Sequence, residues 1–267
     1  MKSSDQHLTE LHEEGATIFR AILPPSLITD LRQETDKARD LARKKMGAQV
    51  QRLQPIGSYA DQLDMKPFED YRDLPALNEI LKEMLTTDHN YGALDAVGIL
   101  LEPGEKARCT NWHRDLRDHM AKDVFEDEFA EEWKVMIIDM QKCLQVNCAL
   151  YEDSCTWYVP HSHNRYEAFP EEENVRDAIK DLGLDDLDDV QREAACLNYT
   201  KSMPGAFQLH LDPGDFALYR PCGWHIGNYV PYKKRATLHD VVTTGSFKAD
   251  REKNNLRAQE AKKRLDK

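Results

Sequence analysis

Residues 211–240, LDPGDFALYRPCGWHIGNYVPYKKRATLHD, decide how the chain is to be read. Pro213-Gly214-Asp215 is a turn signal, and the DFALYRP run after it has the length of a strand. Cys222-Gly223 marks another turn, and His225 opens the next strand-like run. A third turn around Pro231-Tyr232-Lys233 leads into RATLHDVV. Side chains alternate along a strand, so Arg235, Thr237, His239 and Val241 share one face there, and Ala236, Leu238, Asp240 and Val242 the other. Short strands punctuated so tightly predict an antiparallel sandwich or barrel, not alternating βαβ units.

Outward from this stretch the same texture recurs. Strands are predicted near 94–102, 106–113, 134–140, 143–151, 156–160, 206–211, 215–220, 226–230 and 235–243. Upstream, 3–14 reads as a helix ended by Gly15, 16–23 as a strand, and 26–46 as a helix with Ser26 as N-cap and Gly47 as its stop. Leu27, Ile28, Leu31, Ala38 and Leu41 supply its apolar face, and a second amphipathic helix is predicted at 75–86. The expectation is one domain over 1–267, mainly β with flanking helices: N-terminal helices to about 90, a β core over about 94–243, and a charged tail at 248–267. Two acidic, partly helical insertions, 117–133 and 170–199, read as solvated connecting loops, with lids over a pocket as the alternative.

Composition narrows the function classes. A chain of 267 residues, 40% hydrophobic and 31% charged, suits a soluble globular protein with a sizeable core. Its net charge of -12 argues against a nucleic-acid partner, because phosphate neutralisation needs a basic patch. The opening MKSSDQHLTELHEEG lacks the apolar run of a secretory signal, and no stretch has the length of a membrane span. Six cysteines without a C-x-x-C pair read as free core thiols, and a cytoplasmic setting is expected.

Residues 111–118, NWHRDLRD, carry the chemistry. On a strand over 106–113, Ala107, Cys109, Asn111 and His113 share one pocket-lining face, with Trp112 on the outward one. His113 and Asp115 then reach toward one ion, and Arg114 points elsewhere. With His225 they make two histidines and a carboxylate, a ligand set that leaves open positions on the metal and is typical of non-heme Fe(II) oxygenases. Arg235 can grip a carboxylate bidentately, as the far end of a 2-oxo acid chelating the metal would require.

WHRD at 112–115, LDPGDFALYRPCGWHIGN at 211–228, and Arg235 ten residues past His225 resemble the phytanoyl-CoA dioxygenase family of Fe(II)/2-oxoglutarate oxygenases. LHEEGATIFRAILPPSLITDLR resembles that family's first helix, strand and helix, and CALYEDSCTWYVPHSHNR its central strand pair, so the likeness spans roughly 8–243. The resemblance implies a double-stranded β-helix core of jelly-roll or cupin-like type. It implies His113, Asp115 and His225 as iron ligands, Arg235 as the 2-oxoglutarate anchor, and Asn147 as a further cosubstrate contact. It also implies Fe(II), 2-oxoglutarate and O2 as cofactor and cosubstrates, and a small-molecule substrate. Two positions depart from the family pattern: Gly227 stands where Ser or Thr is frequent, and His161 replaces the glycine of P-G-S-H.

Other readings share these residues. His161-x-His163 is a second closely spaced pair, without a carboxylate at comparable spacing. Asn111, Gln145, Trp157, His163 and Arg165 are candidate substrate contacts; Trp157 is equally a core residue, and Arg165 equally a surface one. His119 reads as a surface residue. A zinc-type hydrolase or isomerase on a cupin-like barrel could use the same triad but leaves Arg235 without a role.

Overall fold

The computed structural model describes residues 2–85, 88–141 and 143–245, with 253, 256 and 257. Helix α1 (Ser4–Glu13) opens with a capping box in which Ser3 and Gln6 satisfy each other's backbone N–H groups. Gly15 turns the chain into β1 (Ala16–Phe19), and α2 (Pro25–Met46) follows with Pro24 at the N-cap, not Ser26, and Gly47 at the C-cap. After β2 (Arg52–Leu53) come α3 (Lys66–Arg72) and α4 (Pro75–Met84). Strands β3 (His89–Asn90), β4 (Gly98–Leu101) and β5 (Arg108–Cys109) precede α5 (Lys122–Glu128) and α6 (Ala130–Ile138). Then follow β6 (Cys143–Ala149), β7 (Thr156–Tyr158), α7 (Pro170–Asp177) and α8 (Asp189–Lys201). The last four strands are β8 (Phe207–Gln208), β9 (Phe216–Tyr219), β10 (His225–Tyr229) and β11 (Ala236–Thr244).

Strand pairing among the described residues corrects the expected architecture. Seven strands form one sheet in the order β1-β9-β6-β11-β4-β2, with β3 also on β11, and four form a second in the order β5-β10-β7-β8. Both sheets are open, so the molecule is a mixed α/β fold, not a mainly β double-stranded β-helix. Two physical reasons account for this. The outer strands β2, β3, β5 and β8 are two residues long, too short to carry a ladder from one sheet into the other. Part of the sequence read as strand is helical, since 134–140 belongs mostly to α6, and the insertions 117–133 and 170–199, read as partly helical, contribute α5 to α8.

Those helices are packed, not solvated. Trp133, Phe125 and Phe129 form an apolar cluster with Cys222, while Cys196 and Tyr199 of α8 join Cys109, Trp112, Trp157, Trp224 and Ile226 behind the smaller sheet. The main core lies on one face of the larger sheet, where Leu144, Val146, Cys148, Phe216, Leu218, Leu238 and Val242 meet Leu27, Ile28, Leu31, Ala38, Phe68, Leu77 and Leu81 of α2 to α4. Burial of that apolar face, at about 25 cal/mol per Å², is the dominant favourable term in folding. All six cysteines are free thiols, and no described helix is long and apolar enough to cross a membrane. Apart from 253, 256 and 257, the charged tail expected at 248–267 lies outside the described residues.

Candidate metal centre

Strand alternation leaves a polar face on each sheet. On the larger sheet Asn147 lies opposite His239, and Gln145 opposite Tyr219. On the smaller sheet His225 lies opposite Tyr158, and Gly227 opposite Thr156. Asn147 joins the two faces, its Nδ2 donating to Thr156 Oγ1 at 2.9 Å while its Oδ1 accepts from His239 Nδ1 at 2.9 Å.

His113 and His225 form an isolated antiparallel bridge, exchanging backbone hydrogen bonds of 3.1 and 3.0 Å. Asp115 is held by its backbone on both sides: its N–H donates to Pro221 O at 2.8 Å, and its carbonyl accepts from Trp133 Nε1 at 3.2 Å. Asp115 Oδ1 therefore lies 3.6 Å from His113 Nε2 and 3.7 Å from His225 Nε2. One ligand atom from each of the three residues falls within 4.8 Å of the others, so a single ion can touch all three.

The surrounding hydrogen bonds prepare these atoms for a metal. His113 Nδ1 donates to Asn111 O at 2.8 Å and His225 Nδ1 to Gly223 O at 2.9 Å, which fixes the tautomer and leaves both Nε2 lone pairs bare. Gln145 Nε2 donates to Asp115 Oδ2 at 3.1 Å, which turns Oδ1 toward the histidines. Burial, reinforced by His225, lowers the His113 pKa to about 4 and keeps the ring neutral. Burial pushes the Asp115 carboxyl up, but His225, His113 and His119 hold it below the ordinary value, so it stays ionised. Neutral imidazoles and a carboxylate are the protonation states that bind metal.

Arg235 is 3% exposed. Its Nε donates to Asp153 Oδ2 at 2.8 Å, its backbone N–H donates to Glu102 Oε2 at 2.7 Å, and its carbonyl accepts from Arg39 Nη2 at 2.8 Å. Its Nη2 is buried without a hydrogen-bond partner. A buried donor left bare costs roughly 1–3 kcal/mol, so an orphaned guanidinium nitrogen fits an anionic ligand.

Several sequence-derived candidates lie elsewhere. Strand β5 stops at Cys109, so Cys109 and Trp112 both enter the apolar cluster behind the smaller sheet, and Trp112 does not face outward. Asn111 is exposed and contributes its carbonyl to His113. Trp157 pairs with Ile226, on the sheet face opposite His225, and packs into the same cluster. His163 is buried against the Gly15 turn with its Nε2 on His12 O, and Arg165 forms a bidentate pair with Glu172 at 2.6 and 3.1 Å. Arg114 is fully buried, paired to Asp118 and stacked over Trp224 and Trp133. His119 was not legible as a site residue, yet its Nε2 stands 3.7 Å from Asp115 Oδ1 and its ring 5.0 Å from that of His113. Its spacing of four from Asp115 was the available signal.

No family model and no curated protein matches the sequence. Solved structures do match. The non-heme alpha ketoglutarate dependent epimerase SnoN from nogalamycin biosynthesis is 12% identical, with 90% of this chain and 80% of SnoN covered at a TM-score of 0.54. AviO1 from Streptomyces viridochromogenes Tue57 is 13% identical over 92% of this chain and 96% of its own, at a TM-score of 0.56. EctD from S. alaskensis, solved with 2-oxoglutarate and 5-hydroxyectoine, is 15% identical over 92% and 77%, at a TM-score of 0.57. At these identities the likenesses show a shared fold, and on that fold the chain carries a His-Asp-His cluster able to hold a metal ion.

Proposed function

We propose that the protein is an Fe(II)- and 2-oxoglutarate-dependent dioxygenase that hydroxylates, or otherwise oxidises, an unactivated C–H bond of a small organic metabolite. The observation that carries this reading is the convergence of His113 Nε2, His225 Nε2 and Asp115 Oδ1, with both Nδ1 atoms tied to carbonyls. When bound, iron and 2-oxoglutarate supply the oxidising chemistry, coupling O2 consumption to release of succinate and CO2. His113, Asp115 and His225 would hold the metal through Nε2, Oδ1 and Nε2. Arg235 receives the far carboxylate of the cosubstrate through Nη2, the atom without a partner. Asn147 ties the two sheets together beside the site and keeps one amide hydrogen for a ligand. His119, half exposed at Asp115, is placed to meet the substrate.

A metal-dependent hydrolase would use the same triad, but it gives Arg235 Nη2 no ligand. Anaerobic titration separates the two readings. Adding 2-oxoglutarate to the Fe(II)-loaded protein should produce a visible charge-transfer band, and His225→Ala should abolish it. A protein that binds Fe(II) but gives no band with 2-oxoglutarate refutes the oxygenase.

A further inference from the structure

Gly227 and Tyr229 raise a question the triad does not answer. Both lie on the same face of β10 as His225, because alternate residues of a strand point the same way. A Cβ on Gly227 would fall 1.8 Å from Tyr229 Oη and 2.2 Å from its Cζ. The phenol therefore folds back along its own strand and occupies the place of a side chain at 227, next to His225. Only glycine at 227 allows it, and the requirement is one of space, since Gly227 is not among the glycines with positive φ.

What surrounds the phenol points to a ligand. The Arg235 guanidinium lies over the Tyr229 ring, with Cζ 5.1 Å from its centroid. Arg235 Nε is committed to Asp153, and Nη2 is buried without a hydrogen-bond partner. Tyr229 Oη, too, has no hydrogen bond to any described residue, and the carboxylate of its neighbour Asp153 is engaged by Arg235 and Thr237. Burial raises the phenol pKa, so the group is a donor at neutral pH. Two donors, Arg235 Nη2 and Tyr229 Oη, thus belong to side chains in direct contact, one at the start of β11 and one on β10.

Resting on the oxygenase reading above, we propose that Tyr229 is a cosubstrate-binding residue, its hydroxyl donating to the same distal carboxylate that Arg235 receives. Gly227 makes this possible by giving up its own side-chain space to the phenol. The geometry selects a 2-oxo diacid over a 2-oxo monoacid, because a ligand without the second carboxylate leaves both donors bare.

Tyr229→Phe is the test, since it keeps the ring beneath Arg235 and removes only the hydroxyl. Calorimetric titration of the anaerobic Fe(II)-loaded protein with 2-oxoglutarate should show affinity weakened by about tenfold or more, the scale of a hydrogen bond to a charged group. Fe(II) affinity and thermal midpoint should hold, and binding of pyruvate, which lacks the distal carboxylate, should be equal in both proteins. Equal 2-oxoglutarate affinity in wild type and Tyr229→Phe overturns the role of Tyr229 and leaves the oxygenase reading standing. A wild-type Fe(II) protein that fails to bind 2-oxoglutarate overturns the oxygenase reading itself. Loss of pyruvate and 2-oxoglutarate affinity by the same factor would mean that the hydroxyl serves the metal end of the site, which also overturns the proposal.

Discussion

Asp153 shows how much one buried carboxylate can organise. It accepts from Arg235 Nε, Thr237 Oγ1 and the backbone N–H of Cys155, and it is 3% exposed. Burial raises its pKa, but Arg235 and these donors bring it below the ordinary 3.8. A depressed carboxyl stabilises the fold above its unfolded pKa, and the contribution is lost as pH falls through the folded value. Removing one partner from such a pair leaves a buried charge uncompensated, at about 3–5 kcal/mol. Asp153→Asn should therefore lower the unfolding free energy by roughly that much at pH 7 in urea titration. The gap to wild type should narrow as pH falls below 3.8 and close only once pH is below the depressed folded value, where the wild-type carboxyl is protonated as well. A gap independent of pH would mean that the ion pair is not its source. In sequence Asp153 was one acid among 48 Asp and Glu residues, and its partner lies 82 positions away, so no local pattern marked it.

Elements place the site as much as residues do. The α1–β1 joint is a tight case: Gly15 has a φ of 82°, and a Cβ there would meet His163 Nδ1 and Tyr158 Oη at 2.4 Å each. Tyr158 pairs with His225 across the smaller sheet, so a misfit at this joint presses on the strand that carries a triad histidine. Gly15→Ala should destabilise the protein by about 1–3 kcal/mol, from strain and overpacking together. Thermal unfolding measures this, and an unchanged midpoint would show that the joint relaxes freely. The strands of 211–240 were legible because turn residues bracket alternating runs, and β9, β10 and β11 fall within the predicted limits to within one residue. The run KVMIID at 134–139 was not: its β-branched residues suggest a strand, but tertiary burial of Trp133 and Met136 holds it in α6. The packing of the helices of 170–201 was hidden for a related reason. Glu172, read as one of many solvent acids, is 2% exposed and ties Arg165, Phe169 N and Trp224 Nε1 into the cover over the smaller sheet.

Across the whole molecule the histidines report the state of the fold. Burial lowers the pKa of His113 and His163 to about 4 and that of His239 to about 3, against an ordinary 6.5. The unfolded chain takes up these protons near pH 6.5 while the fold refuses them, so their contribution is complete above 6.5 and is lost as pH falls toward 4. Metal-free protein should lose stability steadily between pH 6.5 and 4.5, each such histidine adding a slope of up to about 1.4 kcal/mol per pH unit. His163→Gln should flatten the profile by about one proton's worth, and a pH-independent unfolding free energy over that range would contradict the assignment. What the sequence by itself determined was the local pattern: strand-like runs near 143–151 and 235–243, the turns around 213 and 223, and the His113–Asp115 spacing that, with His225 and Arg235, marked a metal-type constellation. Only the tertiary structure decided that the sheets stay open, that the acidic insertions become packed helices, that Asp153 holds Arg235, and that Tyr229 fills the space of Gly227. The physical reason is range. Periodicity and turn chemistry act between near neighbours along the chain, whereas burial, ion pairing and shared space arise between residues that only folding brings together.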